Sequence, residues 1–385
     1  MRRLASIDIA RGLVMIIMAL DHTRDFLHIN AVVQSPTDLT TTTPLLFFTR
    51  WITHLCAPSF VFLSGISAYL ALKAGSPARF LLTRGIWLIV VEFTVVNFAL
   101  SFDVHFRLFL FEVIATIGAG FILLYLLCRL SPAVLAAIGL VLVFGHDLAS
   151  LVPTPSNGFA RFVLTLFFSR GAFPLPGSRL FVVAYPVLPW LGIMLLGFAS
   201  GRFFEKSVPV PERRRIFLRL GLASIGLFLV IRGVNVYGDP APWSVQKTGV
   251  FTVLSFLNLT KYPVSLSFSL CMLGILMGVL WLAEGRDNRL TRGLQVYGRT
   301  PLFYFIVHLY LLHSVMLFLA LVQGHPLSEL PFGPFLEGRP TPHWGLSLGW
   351  VYVIWACVVG VMFPLCRWYG AYKARHRDWW WLRYL

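Results

Sequence analysis

The stretch SIDIARGLVMIIMALDH, Ser6–His22, decides how this chain is read. It overlaps an apolar run, Ile9–Phe26, close to the ~20 residues a membrane helix needs. Yet it carries Arg11 and His22, with Asp8 and Asp21 beside them. An ionisable side chain at membrane depth is costly and marks a functional site by default. Ser6–His22 is therefore both a first span and the first place to look for chemistry.

The rest of the composition agrees with a membrane protein. The 385-residue chain is 57% hydrophobic and 12% charged, where soluble domains carry about 25% charge. Mean hydropathy is +0.77. The fold class expected is all-α, a polytopic membrane protein of about ten helices. Spans are placed at 8–28, 51–72, 84–102, 108–128, 132–150, 184–203, 215–234, 263–283, 300–321 and 346–366. The basic-then-apolar N-terminus resembles a signal peptide. Asp8 and Arg11 interrupt it and no small-residue cleavage site follows, so it is read as a retained span. All five cysteines fall in or beside apolar segments, without metal-site spacing, and read as small core residues.

A net charge of +16 raises the question of nucleic acid. Its distribution answers it. With the N-terminus in the cytoplasm, 22 of the 32 Lys and Arg residues fall on the cytoplasmic side. That is the positive-inside bias; both termini are expected inside, and nucleic acid is not an expected partner. The chain reads as one transmembrane domain: a helix set over 1–203, a basic cytoplasmic loop at 204–214, and a second set over 215–385. The halves show no convincing repeat, which gives an inverted-repeat transporter no support. Pro58 predicts a kink in the second span. Phe159–Phe168, flanked by Arg161 and Arg170, reads equally as a short interfacial or re-entrant helix or as an ordered loop. Trp379–Trp381, with Arg377 and Arg383, reads as an interfacial anchor.

In an outward-running first helix, His22 lies eleven residues beyond Arg11, roughly 16 Å along the axis and about 20° from its face. Both should enter one groove, with Arg11 near the inner face and His22 in the outer half. Asp8 lies three residues before Arg11 and can pair with it. Asp21, His28 and His54 are expected near the outer mouth with His22. Asp21 should face away from His22, so an orienting carboxylate would come from another helix, with Glu92 and Glu112 as candidates. A histidine shielded from water can act as a general base or carry an acyl group on its ring nitrogen. Arg11, Arg84 and Arg299 can grip phosphates bidentately. His308 and Lys261 complete the candidate set. No cluster has the spacing of a metal site, and no metal is expected.

Arg11-(ten residues)-His22 resembles the Arg-x10-His signature of the membrane acyltransferases of family 3. More closely, the chain resembles bacterial proteins grouped with the catalytic domain of heparan-α-glucosaminide N-acetyltransferase. The segments that carry this are Arg3–His22, HLCAPSFVFLSG (His54–Gly65), FEVIATIG (Phe111–Gly118), YPVLPWLGIMLLGFASGR (Tyr185–Arg202), KYPVSLSFSL (Lys261–Leu270) and YGRTPLFYFIVH (Tyr297–His308). The resemblance implies an acyltransferase of a bacterial cytoplasmic membrane. It would move an acyl group, typically acetyl, from cytoplasmic acetyl-CoA or another acyl-CoA to an extracytoplasmic sugar or amine. The partners implied are the bilayer, a small-molecule or glycan acceptor, and a second copy of the chain. His22, His54, Asp21 and His28 would carry the transfer; Arg11, Asp8, Arg299 and Arg84 would hold the cofactor. The lysosomal member has a different polar residue opposite His22 and its histidine further along, so His22 and His28 both stand as the proton-handling residue. The alternative from another class is a permease or flippase for an envelope-related molecule, without chemistry. A third is a scaffolding membrane protein, which predicts no cavity around the first-span charges.

Overall fold

A computed structural model of the chain describes residues 4–376, 378, 379 and 382. The helix expected at the start, α1 (Ala5–Leu27), runs unbroken through its five charged residues and ends where His28 turns to extended backbone. Thr43 then caps the next helix, accepting from the Leu46 N–H at 3.3 Å with Pro44 in the first turn. That helix, α2 (Pro44–Thr53), breaks at His54–Leu55, and α3 (Cys56–Lys73) continues the span. Pro58 has no N–H for the carbonyl of His54, which is why the expected kink is a break at that turn. Next come α4 (Arg79–Val91), a π-helical turn over Glu92–Val96, and α5 (Asn97–Ser101).

One boundary departs from the sequence reading. The fourth span does not begin at residue 108. Leu108–Phe111 is strand β1, and helix α6 covers Val113–Leu127. Asn97 holds the strand: its Oδ1 accepts from Leu110 N–H at 2.6 Å and its Nδ2 donates to Leu110 O at 3.1 Å. A four-residue apolar run has no period that separates strand from helix, so only these distant partners decide it.

The chain continues through α7 (Pro132–Gly145), α8 (Gly158–Phe168), β2 (Gly171–Leu175), β3 (Arg179–Val183) and α9 (Val187–Ser200). The segment read as helix or loop is thus the helix α8. The three strands form one small sheet in the order β1-β3-β2, with β1 parallel and β2 antiparallel to β3. Then follow α10 (Val210–Val234), α11 (Gly249–Leu257), α12 (Leu266–Ala283), α13 (Arg289–Gly298), α14 (Pro301–Val322) and α15 (Leu348–Arg375).

By length and composition, eight helices among the described residues can cross a membrane. Two further hydrophobic helices, charged α1 and the 15-residue α6, bring the set to the ten spans expected. α10 and α15 expose apolar residues along their lengths, including Leu222, Leu229, Trp350 and Val361, as a lipid-facing surface requires. The chain is therefore an all-α polytopic membrane protein. Of the proposed tryptophan anchor, Trp380, Trp381, Arg377 and Arg383 lie outside the described residues.

α1 is the buried axis of the bundle. It crosses α13 in backbone contact because a glycine sits on each side. A Cβ on Gly12 would lie 1.9 Å from the Leu294 carbonyl oxygen, and one on Gly298 would lie 1.8 Å from that of Asp8. This approach sets Asp8 and Arg11 beside Arg299. At the opposite end, residues 323–347 form a strap over α1. Arg339 donates to the carbonyls of Asp25, Phe26 and Trp344 at 2.7, 2.9 and 2.8 Å, satisfying acceptors left open at the helix C-terminus.

Candidate functional site

Two polar centres lie along α1. At the first, the Arg11 guanidinium donates to the Leu63 carbonyl at 3.2 Å and to the Ser67 hydroxyl. Asp8 stands between two arginines, 3.8 Å from Arg11 and 3.8 Å from Arg299. Arg299 also donates to Gln295 Oε1 at 2.8 Å. Arg11, Arg84 and Arg299 line one cavity of about 350 Å³, joined by Lys373 from the end of α15 and by Ser64 and Ser67 from α3. The rest of its wall is apolar, with Met15, Phe60, Phe121 and Phe305. Three guanidiniums and an ammonium around one recess are complementary in charge to a polyanion, and the arginines' planar donor sets suit phosphate oxygens. The structure thus brings together all four residues that the sequence reading assigned to a cofactor. Lys373 is the fourth cation.

At the second centre, His22 Nδ1 lies 2.7 Å from His308 Nε2. The two rings lie edge to edge and nearly coplanar, with planes 19° apart and centroids 5.0 Å apart. His308 Nδ1 in turn lies 2.8 Å from the Tyr304 carbonyl oxygen. His22 is half-buried and His308 fully buried. Sequence reasoning looked for a carboxylate to orient His22; the partner is a second histidine. Glu92 is committed elsewhere. Its Oε2 accepts from the Ala115 N–H at 2.9 Å, capping the first turn of α6 from a neighbouring helix. Glu112, at the N-cap of α6, faces the electrostatic field of Lys261, Arg50 and Asp21 instead.

Asp21 is held between Arg50 and Arg24, the latter at 3.2 Å. Lys261 is buried, its ammonium 5.0 Å above the Tyr262 ring and 5.6 Å above that of Tyr185. The two tyrosine hydroxyls lie 3.4 Å apart. His54 is buried against Phe268, centroids 5.3 Å apart, and its Nδ1 has no hydrogen-bond partner among the described residues. Asp21, Arg50 and Lys261 act electrostatically on both His22 and His54. His22, His54, Asp21, His308, Lys261 and Glu112 therefore belong to one neighbourhood. His28 stands apart from it: its backbone pairs with Leu346 under the strap, and its carbonyl accepts from Arg339 at 3.5 Å. Arg50, Tyr185 and Tyr262 were not anticipated as site residues. The only signal was a charge at the head of a span and two aromatics beside prolines.

The two centres meet at Phe305. Its ring lines the cation-bearing cavity and also stands edge-on to His22, with centroids 6.0 Å apart. Val113, next to Glu112, lines the same cavity. Among the described residues, no group of three or more His, Cys, Asp or Glu is placed to hold a metal ion.

The family model described as heparan-alpha-glucosaminide N-acetyltransferase, catalytic, matches residues 3–237. That span includes Arg11, His22, His54, Arg84 and the two glutamates; Lys261, Arg299 and His308 lie beyond it. No curated protein matches the chain.

Proposed function

Because the chain belongs to the family of heparan-α-glucosaminide N-acetyltransferase catalytic domains, we propose that it moves an acyl group, acetyl in the simplest case, across the membrane. The donor is cytoplasmic acyl-CoA, and the acceptor an extracytoplasmic sugar or amine. The observation that carries this reading is the shared wall at Phe305. A polycationic recess at one end of α1 and a histidine centre at the other are separated by one aromatic side chain.

Arg11, Arg84, Arg299 and Lys373 hold the phosphates of the donor at the cytoplasmic end. The apolar lining between them and Phe305 takes its uncharged arm and excludes water from the thioester. His22 acts as general base. The acceptor's lone pair forms the new bond to the acyl carbon, its proton passes to His22, and the C–S bond breaks to release the thiolate, which is then protonated. His54 and Lys261, with the tyrosine pair, bind and orient the acceptor. Asp8 holds Arg11 and Arg299 apart at a fixed spacing and offsets their repulsion before the donor arrives.

Purified protein should bind acetyl-CoA, with desulfo-CoA competing and adenosine alone failing to compete. Arg11→Met removes one phosphate partner and should weaken binding about tenfold or more, as loss of a charge-assisted contact does. Equal affinity in the variant, or no binding to the unmodified protein, would refute the donor site.

A further inference from the structure

Carbonyl oxygens only accept hydrogen bonds. His308 Nδ1, 2.8 Å from the Tyr304 carbonyl, therefore carries the proton of its neutral ring. Its Nε2 is then a bare acceptor. Since His22 Nδ1 lies 2.7 Å from that lone pair, it must carry a proton in turn. We infer that His308 is the positioning residue of this site: it fixes His22 in the Nδ1-protonated form and so leaves Nε2 as the atom that takes the acceptor's proton. The inference rests on the proposed transfer for its consequence in catalysis, and on the ring geometry alone for the tautomer.

Packing keeps the pair from relaxing. His308 is fully buried, its ring wedged between Tyr304 and Phe305, with centroids 5.2 and 5.8 Å away. A ring flip would abandon the Tyr304 carbonyl and present an N–H to His22. The choice of a histidine partner has a physical reason. A carboxylate here would be another anion to desolvate in a bundle interior. A neutral imidazole supplies the same acceptor without a charge. When His22 gains its second proton, its Nδ1–H becomes a charge-assisted donor to His308 Nε2, and the bond tightens as the acceptor is deprotonated. Nε2 itself has no hydrogen-bond partner among the described residues and is not one of the sealed polar atoms, so it remains available.

Nitrogen-15 spectra of histidine-labelled protein in nanodiscs, with His22 assigned by its loss in His22→Gln, read the tautomer directly. The unmodified protein should show a protonated Nδ1 and a bare Nε2 at His22. His308→Gln retains an acceptor oxygen and should keep that pattern; His308→Leu should let both tautomers appear. In transfer assays, His308→Leu should lower kcat about 100-fold with KM for acetyl-CoA unchanged, and His308→Gln should recover much of the loss. A protonated Nε2 in the unmodified protein, or a His22 spectrum unmoved in His308→Leu, would overturn the inference. If no substrate is acylated, the proposed function fails, and the spectrum still decides the tautomer.

Discussion

Asp21 shows what one buried charge does for its neighbours. Its two oxygens serve Arg50 and Arg24, whose side chains are themselves almost sealed from solvent. Removing Asp21 leaves Arg50 without an ion-pair partner among the described residues, while Arg24 keeps Asp25 at 2.5 Å; an uncompensated buried charge costs about 3 kcal/mol. Asp21→Asn should therefore lower stability by roughly that amount in thermal or denaturant unfolding; a change under ~0.5 kcal/mol would place Asp21 among ordinary surface positions. That Asp21 would not hydrogen-bond His22 was legible from helical geometry, since adjacent residues point about 100° apart. That Arg50 would reach it was not, because the contact joins two helices whose mutual rotation no local pattern encodes. The same holds for His308. Its depth on the ninth span could be estimated, but its pairing with His22, 286 residues away in sequence, is set by tertiary packing.

Among the elements, the strap over residues 323–347 has the clearest dependence on solution conditions. Burial pushes the Glu337 carboxyl up from 4.5 to about 7, against the opposing pull of Arg339. A carboxyl raised in the folded state favours its protonated form there. Its contribution is thus complete below pH 4.5, falls as pH rises from 4.5 to about 7, and is gone above that. Hydrogen exchange in the strap, corrected for intrinsic rates, should show protection falling between pH 5 and 7 by the equivalent of roughly 2 kcal/mol. Glu337→Gln should abolish the slope; an unchanged slope would assign it to another group. The strap also shows the limit of sequence reading at this scale. Membrane helices announce themselves through long apolar runs, so all ten expected spans have a counterpart. Short elements do not: β1 depends on the Asn97 side chain, whereas the α2–α3 break was marked in the sequence by Pro58.

Across the whole molecule, charge is concentrated where it has a use. The spans facing lipid carry apolar side chains, while the helix at the centre keeps six ionisable residues. Such groups persist in a membrane interior only when paired or lining a cavity, and here they do both. Asp8 links Arg11 to Arg299 at the cavity, and Asp21 links Arg24 to Arg50 near the histidines. The polycationic end and the histidine end were each readable from the Arg11–His22 spacing. The wall they share at Phe305 was not, since a phenylalanine in an apolar run carries no distinguishing mark.

The central claim, transfer across the bilayer with His22 as base, has one direct test. Protein is reconstituted in sealed vesicles, with radiolabelled acetyl-CoA on the side of the Arg11 cavity and amino sugars or envelope glycans on the other. Labelled acceptor should accumulate in the acceptor compartment with the unmodified protein and fall by at least ~100-fold with His22→Ala. Transfer that survives His22→Ala, or product confined to the donor side, would contradict the account.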